Sequence, residues 1–470
     1  MSRRERPTQE AESSILSRRK FLTVGVLGAC AVLLGGDSSL FSRRVGGGVN
    51  ETDNALSSPP SDVGRLVAHF ESEFHSALGL DGKEIKQAEL QLVPEWECTG
   101  SDMFITMPST SPGLSYKLRE RWSGILKAIP PGTNVHVMTF TGFSSALLEE
   151  LKLTFPHINF KSYEYDGEKF DDTMYSQDMV FASGKRDLAG RFKLFTSTLD
   201  RAVIGSGKRE NSFACMGLEG DDYLARAYPE TFVSQSVPTR LEGGDLQATV
   251  FPGGKSAIIV GDSNLRLSVQ YARLGANENG RNYENYNFNY AYIGNKALFQ
   301  IFMGVQMVLV TDEKDILTRM VGMPVNDFHE GRNGFYHVDM ILRTAVTLGG
   351  KVVAFCTNTD KSRTEVSDKD ISYLQRIHKQ FDEFGYEIEY LPCGPYPALN
   401  YTNVLMFTPK GGSPTVMLPC YGLDSDDVAA AVYERRGFKV IPTDMSFMKK
   451  LSPDVLRGIG SLHCMVEVLA

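Results

Sequence analysis

Nowhere in this chain of 470 residues does an apolar run reach the ~18–20 residues that a membrane-spanning helix requires. Its seven cysteines, at positions 30, 98, 215, 356, 393, 420 and 464, contain no C-x-x-C pair. Their spacing therefore describes neither a zinc knuckle nor a disulfide framework. Cations are in deficit as well, with 49 Lys and Arg against 57 Asp and Glu and a net charge of −8. The first 44 residues hold eight of those cations and only four acids, so the rest of the chain is more acidic than the whole. Nucleic acid calls for clustered cations on its phosphates, and no nucleic-acid partner is expected. Apolar material is not lacking: 42% hydrophobic and 10% aromatic residues exclude disorder over most of the length. A core of this size needs no disulfide, and Cys356, Cys393 and Cys420 read as small buried hydrophobes beside strands.

The N-terminus has a different character. Ser17-Arg18-Arg19-Lys20-Phe21-Leu22 leads into the short apolar stretch Thr23 to Leu34. A basic head, an arginine pair and a brief apolar segment make a twin-arginine (Tat) export signal, which implies the Tat export machinery as a partner. The destination would be periplasmic or extracellular. Leu27-Gly28-Ala29-Cys30 also resembles a lipoprotein cleavage box, against which Ala31 to Leu34 continues the apolar stretch. Residues 1–50 are read as signal and linker, 51–90 as a linker with a short helix at Val63 to Leu78, and 91–470 as the catalytic domain.

From Pro94 onward one rhythm recurs: an extended run, an amphipathic helix, another extended run. Phe104 to Thr106 is followed by a helix near Leu114 to Ile129 and the strand Val135 to Phe140. Thr344 to Phe355 reads as two strands around Gly349-Gly350, then a helix at Asp368 to Phe384 and the strand Tyr386 to Leu391. Asn403 to Met406, Pro414 to Pro419, a helix at Asp426 to Arg435 and Phe438 to Pro442 repeat the order. The alternation predicts α/β architecture. Its return roughly every 60–90 residues suggests internal repeats. Periodicity does not distinguish a doubly wound sheet from a pseudo-symmetric closed arrangement.

Three segments put reactive side chains on or beside strands. In Leu241-Glu242-Gly243-Gly244-Asp245-Leu246, two glycines between two acids permit close approach of a backbone or ligand; an ordinary turn with solvated acids has the same composition. In Tyr336-His337-Val338-Asp339-Met340, strand alternation would send His337 and Asp339 to one face, where they could reach one bound group together or pair on the surface. In Gly458-Ile459-Gly460-Ser461-Leu462-His463-Cys464-Met465-Val466, a thiol follows a glycine-punctuated loop at the expected start of a strand. That suits a nucleophile, and it also suits a buried structural cysteine.

The order E-G-G-D, H-x-D, then H-C at the extreme C-terminus resembles the guanidino-group-modifying enzymes, the pentein superfamily. Arginine deiminases, agmatine deiminases, bacterial peptidylarginine deiminases, dimethylarginine hydrolases and amidinotransferases belong to it. The resemblance runs from Pro94 to Ala470, and Pro94-Glu95-Trp96-Glu97 is similar to the opening of the agmatine deiminase branch. It implies a five-fold pseudo-symmetric α/β propeller with the active site on its central axis. It further implies Cys464 as nucleophile, His337 as general acid/base, Glu242 as the group orienting His337, and Asp339 as a clamp on the guanidinium. A second clamping aspartate usually precedes E-G-G-D; Asp178 in Ser176-Gln177-Asp178-Met179-Val180-Phe181 matches best, with Asp187 as the fallback. Asp245 stands in reserve as an inner, substrate-binding or structural acid. The sequence departs from the agmatine deiminase pattern in three places: Gly458-Ile459-Gly460 replaces three glycines, Ser461 replaces an asparagine, and Met179-Val180 replaces a Gly-Pro after Asp178.

The chemistry implied is hydrolysis of an arginine-like, agmatine or peptidyl-arginine guanidinium to a ureido product and ammonia, through a covalent thiouronium, without metal or organic cofactor. The same fold could instead transfer the amidino group to an amine, or bind without catalysis. In papain-like proteases the cysteine precedes the histidine, the reverse of the order here. A metal hydrolase built from Glu242, Asp245, His337 and Asp339 would lack recognisable ligand spacing. Residues 265–335, with the aromatic and Asn-rich Asn277 to Tyr292, read as an insertion shaping the substrate entrance. Arg266, Arg281 and Arg332 are candidates for binding a substrate carboxylate, or are surface residues.

Overall fold

The computed structural model describes residues 92–107, 115–140, 143–165, 181–197, 216–237, 241, 243–262, 264, 296, 299–300, 303–314, 337–358, 366–451 and 460–470. The export signal with Cys30, the helix expected at Val63 to Leu78, Asp178, Glu242, Arg266, Arg281, Arg332 and Asn277 to Tyr292 all lie outside the described residues. Among the described residues, no helix is long and apolar enough to cross a membrane.

Among the described residues, five small sheets share one plan. Each has one antiparallel pair at an edge and at least one parallel pair. In the second, β4 (Phe181–Gly184) runs antiparallel to β5 (Phe192–Ser197). The helix α3 (Met216–Ala227) then leads to β6 (Phe232–Val237), parallel to β5. The third comprises β7 (Leu246–Phe251), β8 (Lys255–Val260) and β9 (Met307–Val310). The fourth comprises β10 (Leu342–Val346), β11 (Val352–Thr357) and β12 (Glu387–Leu391), with α4 (Asp368–Glu383) as crossover. The fifth comprises β13 (Leu405–Phe407), β14 (Thr415–Cys420) and β15 (Lys439–Asp444), with α5 (Ser425–Arg435).

The first sheet is assembled from both ends of the domain. β1 (Asp102–Met107), β2 (Asn134–Phe140) and β3 (Asn159–Tyr165) are parallel, joined by α1 (Ser115–Ala128) and α2 (Phe143–Thr154). Its antiparallel strand is the last one of the chain, β16 (Val466–Val468), registered Met103 to Val468 and Ile105 to Val466. Beyond its own sheet, β16 touches β4 and β13, and β7 touches β10. The antiparallel strands of neighbouring sheets thus lie side by side.

The middle strand β11 is buried on both faces, with α4 packed against it. In β11, Val353 to Thr357 are all buried, with Phe355 and Cys356 fully so. The helix α4 shows the complementary stripe, burying Ile371, Leu374, Ile377 and Phe381 at helical spacing. Its N-terminus is capped by Ser367, whose Oγ accepts from the Asp370 amide at 3.1 Å. At the other end of α5, Gly437 takes φ +88°, a left-handed turn that releases the chain into β15. The largest apolar cluster joins the first and fifth sheets around Trp96, Trp122, Tyr401 and Tyr433.

Candidate active site

The sites of interest all fall in one structural position: the few residues just ahead of an antiparallel strand. A 3-10 turn at Gly243–Asp245 precedes β7, and another at Val338–Met340 precedes β10. A buried loop at 400–403 precedes β13, and the single helical turn α6 (Leu462–Met465) precedes β16. The Gly243–Asp245 turn touches both the Val338–Met340 turn and α6.

Two local expectations are corrected. His337 and Asp339 do not alternate along a strand. The amide of Met340 reaches the His337 carbonyl at 3.1 Å and that of Ile341 reaches Val338 at 2.9 Å, closing a 3-10 turn before β10 begins. Cys464 sits within α6 rather than at a strand start; the strand opens two residues later at Val466. In both places the chain turns before it extends, and the turn aims the polar side chains inward.

His337, Asp339 and Cys464 nonetheless meet: one donor or acceptor atom from each lies within 4.8 Å of the others. Cys464 Sγ stands 3.3 Å from Asp339 Oδ2. Asn403 Nδ2 donates to the same sulfur at 3.2 Å. Burial pushes the Cys464 thiol up to about 12; the Asp339 charge adds to the rise, while hydrogen bonds from His337 and Asn403 work against it. Asp339 is 2% exposed, and among the described residues its Oδ1 has no hydrogen-bond partner. A buried carboxylate oxygen without a donor is costly unless something else supplies one.

The glycines of E-G-G-D acquire a reason. A Cβ on Gly244 would lie 3.0 Å from His337 Cγ and 3.3 Å from His337 Cβ, closer still to Nδ1, so the imidazole rests on bare backbone. Asp245, held in reserve as an inner, substrate-binding or structural acid, is engaged by the turn after β8. Its Oδ2 accepts the Asn264 amide at 2.9 Å, its backbone carbonyl takes the Gly261 amide, and its carboxylate packs directly on Gly261. It buttresses the turn after β8. Asp187 is equally committed, accepting from the Ala189 and Arg191 amides at 3.0 and 2.9 Å and pairing with the Arg191 guanidinium in the β4–β5 hairpin.

Asn403 and Thr402 were not singled out by sequence reasoning, and His463 entered only as part of the H-C motif. Asn403 supports the α6 turn: its Oδ1 accepts the His463 amide at 2.7 Å, and its own backbone amide donates to Asn400 Oδ1 at 3.0 Å. Thr402 Oγ1 bridges Asn400 Oδ1 and the Asp339 carbonyl, both at 2.9 Å, tying this loop to the Val338–Met340 turn. His463 places Nδ1 2.9 Å from Asp339 Oδ2 and Nε2 3.2 Å from Glu95 Oε2. Glu95 also pairs with the buried guanidinium of Arg343. For Asn403 and Thr402 the available signal was polar residues in apolar surroundings, Asn400-Tyr401-Thr402-Asn403 before Val404-Leu405. Ser461, at the asparagine position of the resemblance, bonds Tyr421 Oη at 2.6 Å just ahead of α6.

Among the described residues, His337, Asp339 and Cys464 form the one gathering of metal-ligating side chains, and an imidazole, a carboxylate and a thiolate would suit zinc. The same trio can equally attack, bind and protonate a planar cation. The described cysteines 98, 356, 393, 420 and 464 are free thiols, with Cys420 half-buried and the others buried.

No family model and no curated protein matches the chain. Among solved structures, it is similar to a crystal structure described as that of a "putative peptidyl-arginine deiminase", at 15% identity and a TM-score of 0.51, over 81% of this chain and 99% of that one. The chain has the α/β fold of that structure.

Proposed function

We propose that the protein is a cysteine-dependent guanidine deiminase and that its five sheets are the blades of a pentein propeller. The observation that carries this reading is the meeting of Cys464, His337 and Asp339 with an unpartnered, buried carboxylate oxygen among them. The likeness of fold to a protein described as a deiminase supports it. So does the strand order, in which a C-terminal strand completes the first sheet and the inner strands adjoin.

A guanidinium is planar, permanently cationic and a poor electrophile. Asp339 Oδ1 accepts one of its N–H groups, and Asp178 takes another from a second direction. Asp178 precedes β4 by three residues, as Asp339 precedes β10. The bound cation offsets the Asp339 charge that holds the thiol protonated, so with substrate present the thiol passes its proton to His337 and the thiolate forms. Cys464 Sγ then bonds to the guanidinium carbon. His337, oriented by Glu242, protonates one nitrogen, the C–N bond breaks and ammonia leaves a thiouronium. His337 next takes a proton from water, the new C–O bond forms, the C–S bond breaks and the thiol is restored with a ureido product. Asn403 steadies the sulfur throughout. Arginine, agmatine and peptidyl arginine all present the group required. The leader at residues 17–34 supports export by the twin-arginine route as a further part of this reading.

A colorimetric ureido assay with arginine, agmatine and an arginine-containing peptide tests it, with Cys464→Ala as control. Product that disappears in the variant is expected. Absence of product from all three substrates with the unaltered enzyme would sink the deiminase reading.

A further inference from the structure

Asp339 is held by one edge. Its Oδ2 receives His463 Nδ1 at 2.9 Å and Cys464 Sγ at 3.3 Å, while Oδ1 is buried without a partner. Rotation of a carboxylate about its last torsion is soft, so its plane is set by whatever donates to it. The thiol is a weak donor, and in the reaction it gives up its proton. That leaves the imidazole of His463 as the group that fixes the plane.

The imidazole is itself anchored. Glu95, in the 3-10 turn Glu95–Glu97 ahead of β1, faces His463 Nε2 at 3.2 Å through Oε2. Its Oε1 accepts the Met406 amide of β13 at 3.0 Å, and Arg343 of β10 pairs with the same carboxylate. The chain is stitched here a second time by Thr408 Oγ1 donating to the Trp96 carbonyl at 2.7 Å. Glu95 thus links the fourth and fifth sheets to α6, and a polar cavity of about 20 Å³ beside it is lined by Glu95, Gln247, Arg343, His463 and Glu467. Burial and Arg343 push the imidazole below its ordinary pKa, against the pull of Asp339 and Glu467. Both ring nitrogens face carboxylates, which only accept, so the doubly protonated ring donates to Asp339 and Glu95 together and the neutral ring to one of them at a time.

We propose that Glu95 and His463 are positioning residues for Asp339, a fixed Glu95–His463–Asp339 chain that keeps Oδ1 turned toward a guanidinium N–H. The inference rests on the deiminase reading and adds to it a device that presets the substrate-binding carboxylate before substrate arrives.

The test needs no turnover. Alkylation of Cys464 by iodoacetamide in the full chain is followed by mass spectrometry of its peptide, with methylguanidine as protecting probe and thermal melts as a folding check. The unaltered protein is protected. His463→Leu raises the half-protection concentration roughly ten- to hundredfold, the worth of one hydrogen bond to a charged group. His463→Asn, which can keep a donor near Nδ1, recovers most of that loss, and the near-isosteric Glu95→Gln shows a smaller rise. Wild-type protection in His463→Leu, or an equal loss in the Leu and Asn variants, overturns the proposal. If His463→Leu does not fold, Glu95→Gln decides, and wild-type protection there overturns it. A failure of methylguanidine to protect the unaltered protein strikes the guanidine reading itself and removes this inference with it.

Discussion

Replacing Gly244 by alanine should disable the proposed deiminase activity while leaving the protein folded. The added Cβ would stand 3.0 Å from His337 Cγ and 3.3 Å from its Cβ, with Nδ1 nearer still. Relaxed contacts between such atoms lie at about 3.5–4.0 Å, so the imidazole must retreat by on the order of 1 Å. His337 is only half-buried, which gives the ring somewhere to go. The stability cost therefore falls at the low end for overpacking, about 1 kcal/mol. Function has less tolerance. A reacting group displaced by about 1 Å costs on the order of a hundredfold in rate. The same displacement weakens the hydrogen bond that pulls the Cys464 thiol down, so the thiol should become harder to ionise. Steady-state ureido formation gives kcat, and the pH dependence of Cys464 alkylation gives the second readout. Gly349→Ala is the control, since its Cβ would meet nothing nearer than Thr347 Oγ1 at 3.9 Å. Unchanged kcat and an unchanged alkylation profile in Gly244→Ala would refute the claim that His337 works from that seat.

Asn403→Asp keeps the acceptor for the His463 amide but sets a carboxylate against Cys464 Sγ; kcat should fall at least about a hundredfold and alkylation should slow, a loss of roughly 3 kcal/mol with the charge-assisted bond. If the trio acts as nucleophile, acid/base and clamp, prolonged dialysis against EDTA leaves kcat unchanged, whereas a zinc enzyme at that site would lose activity that added zinc restores. His378, buried and held near pKa 4 by desolvation, lies below the ordinary histidine value, so its contribution to stability is present above about pH 6.5 and is lost as pH falls. By that linkage, unfolding at about pH 5 should be easier by about 2 kcal/mol than at neutral pH, and His378→Phe should reduce the slope in urea titrations.

How much of the site was visible in advance depends on where each side chain's meaning comes from. Cys464, His337 and Asp339 were legible because they sit in short motifs whose order along the chain is distinctive. Their local conformation was misjudged, since a period-two reading of Tyr336 to Met340 cannot anticipate a 3-10 turn closed by two backbone hydrogen bonds. Asp245 shares the motif yet faces the Gly261–Asn264 turn, and nothing local tells one acid of E-G-G-D from the other.

The sequence by itself determined the alternation of strands and helices, because hydrophobic period and capping residues such as Ser367 act over a few positions. It also determined the chemical kinds of group available. Only the tertiary structure decided that Glu95 should meet His463, 368 positions later, or that the last strand should complete the first sheet. Both depend on packing between elements distant in the chain, where the partner of a polar group is set by burial and the need to satisfy it rather than by its neighbours in sequence.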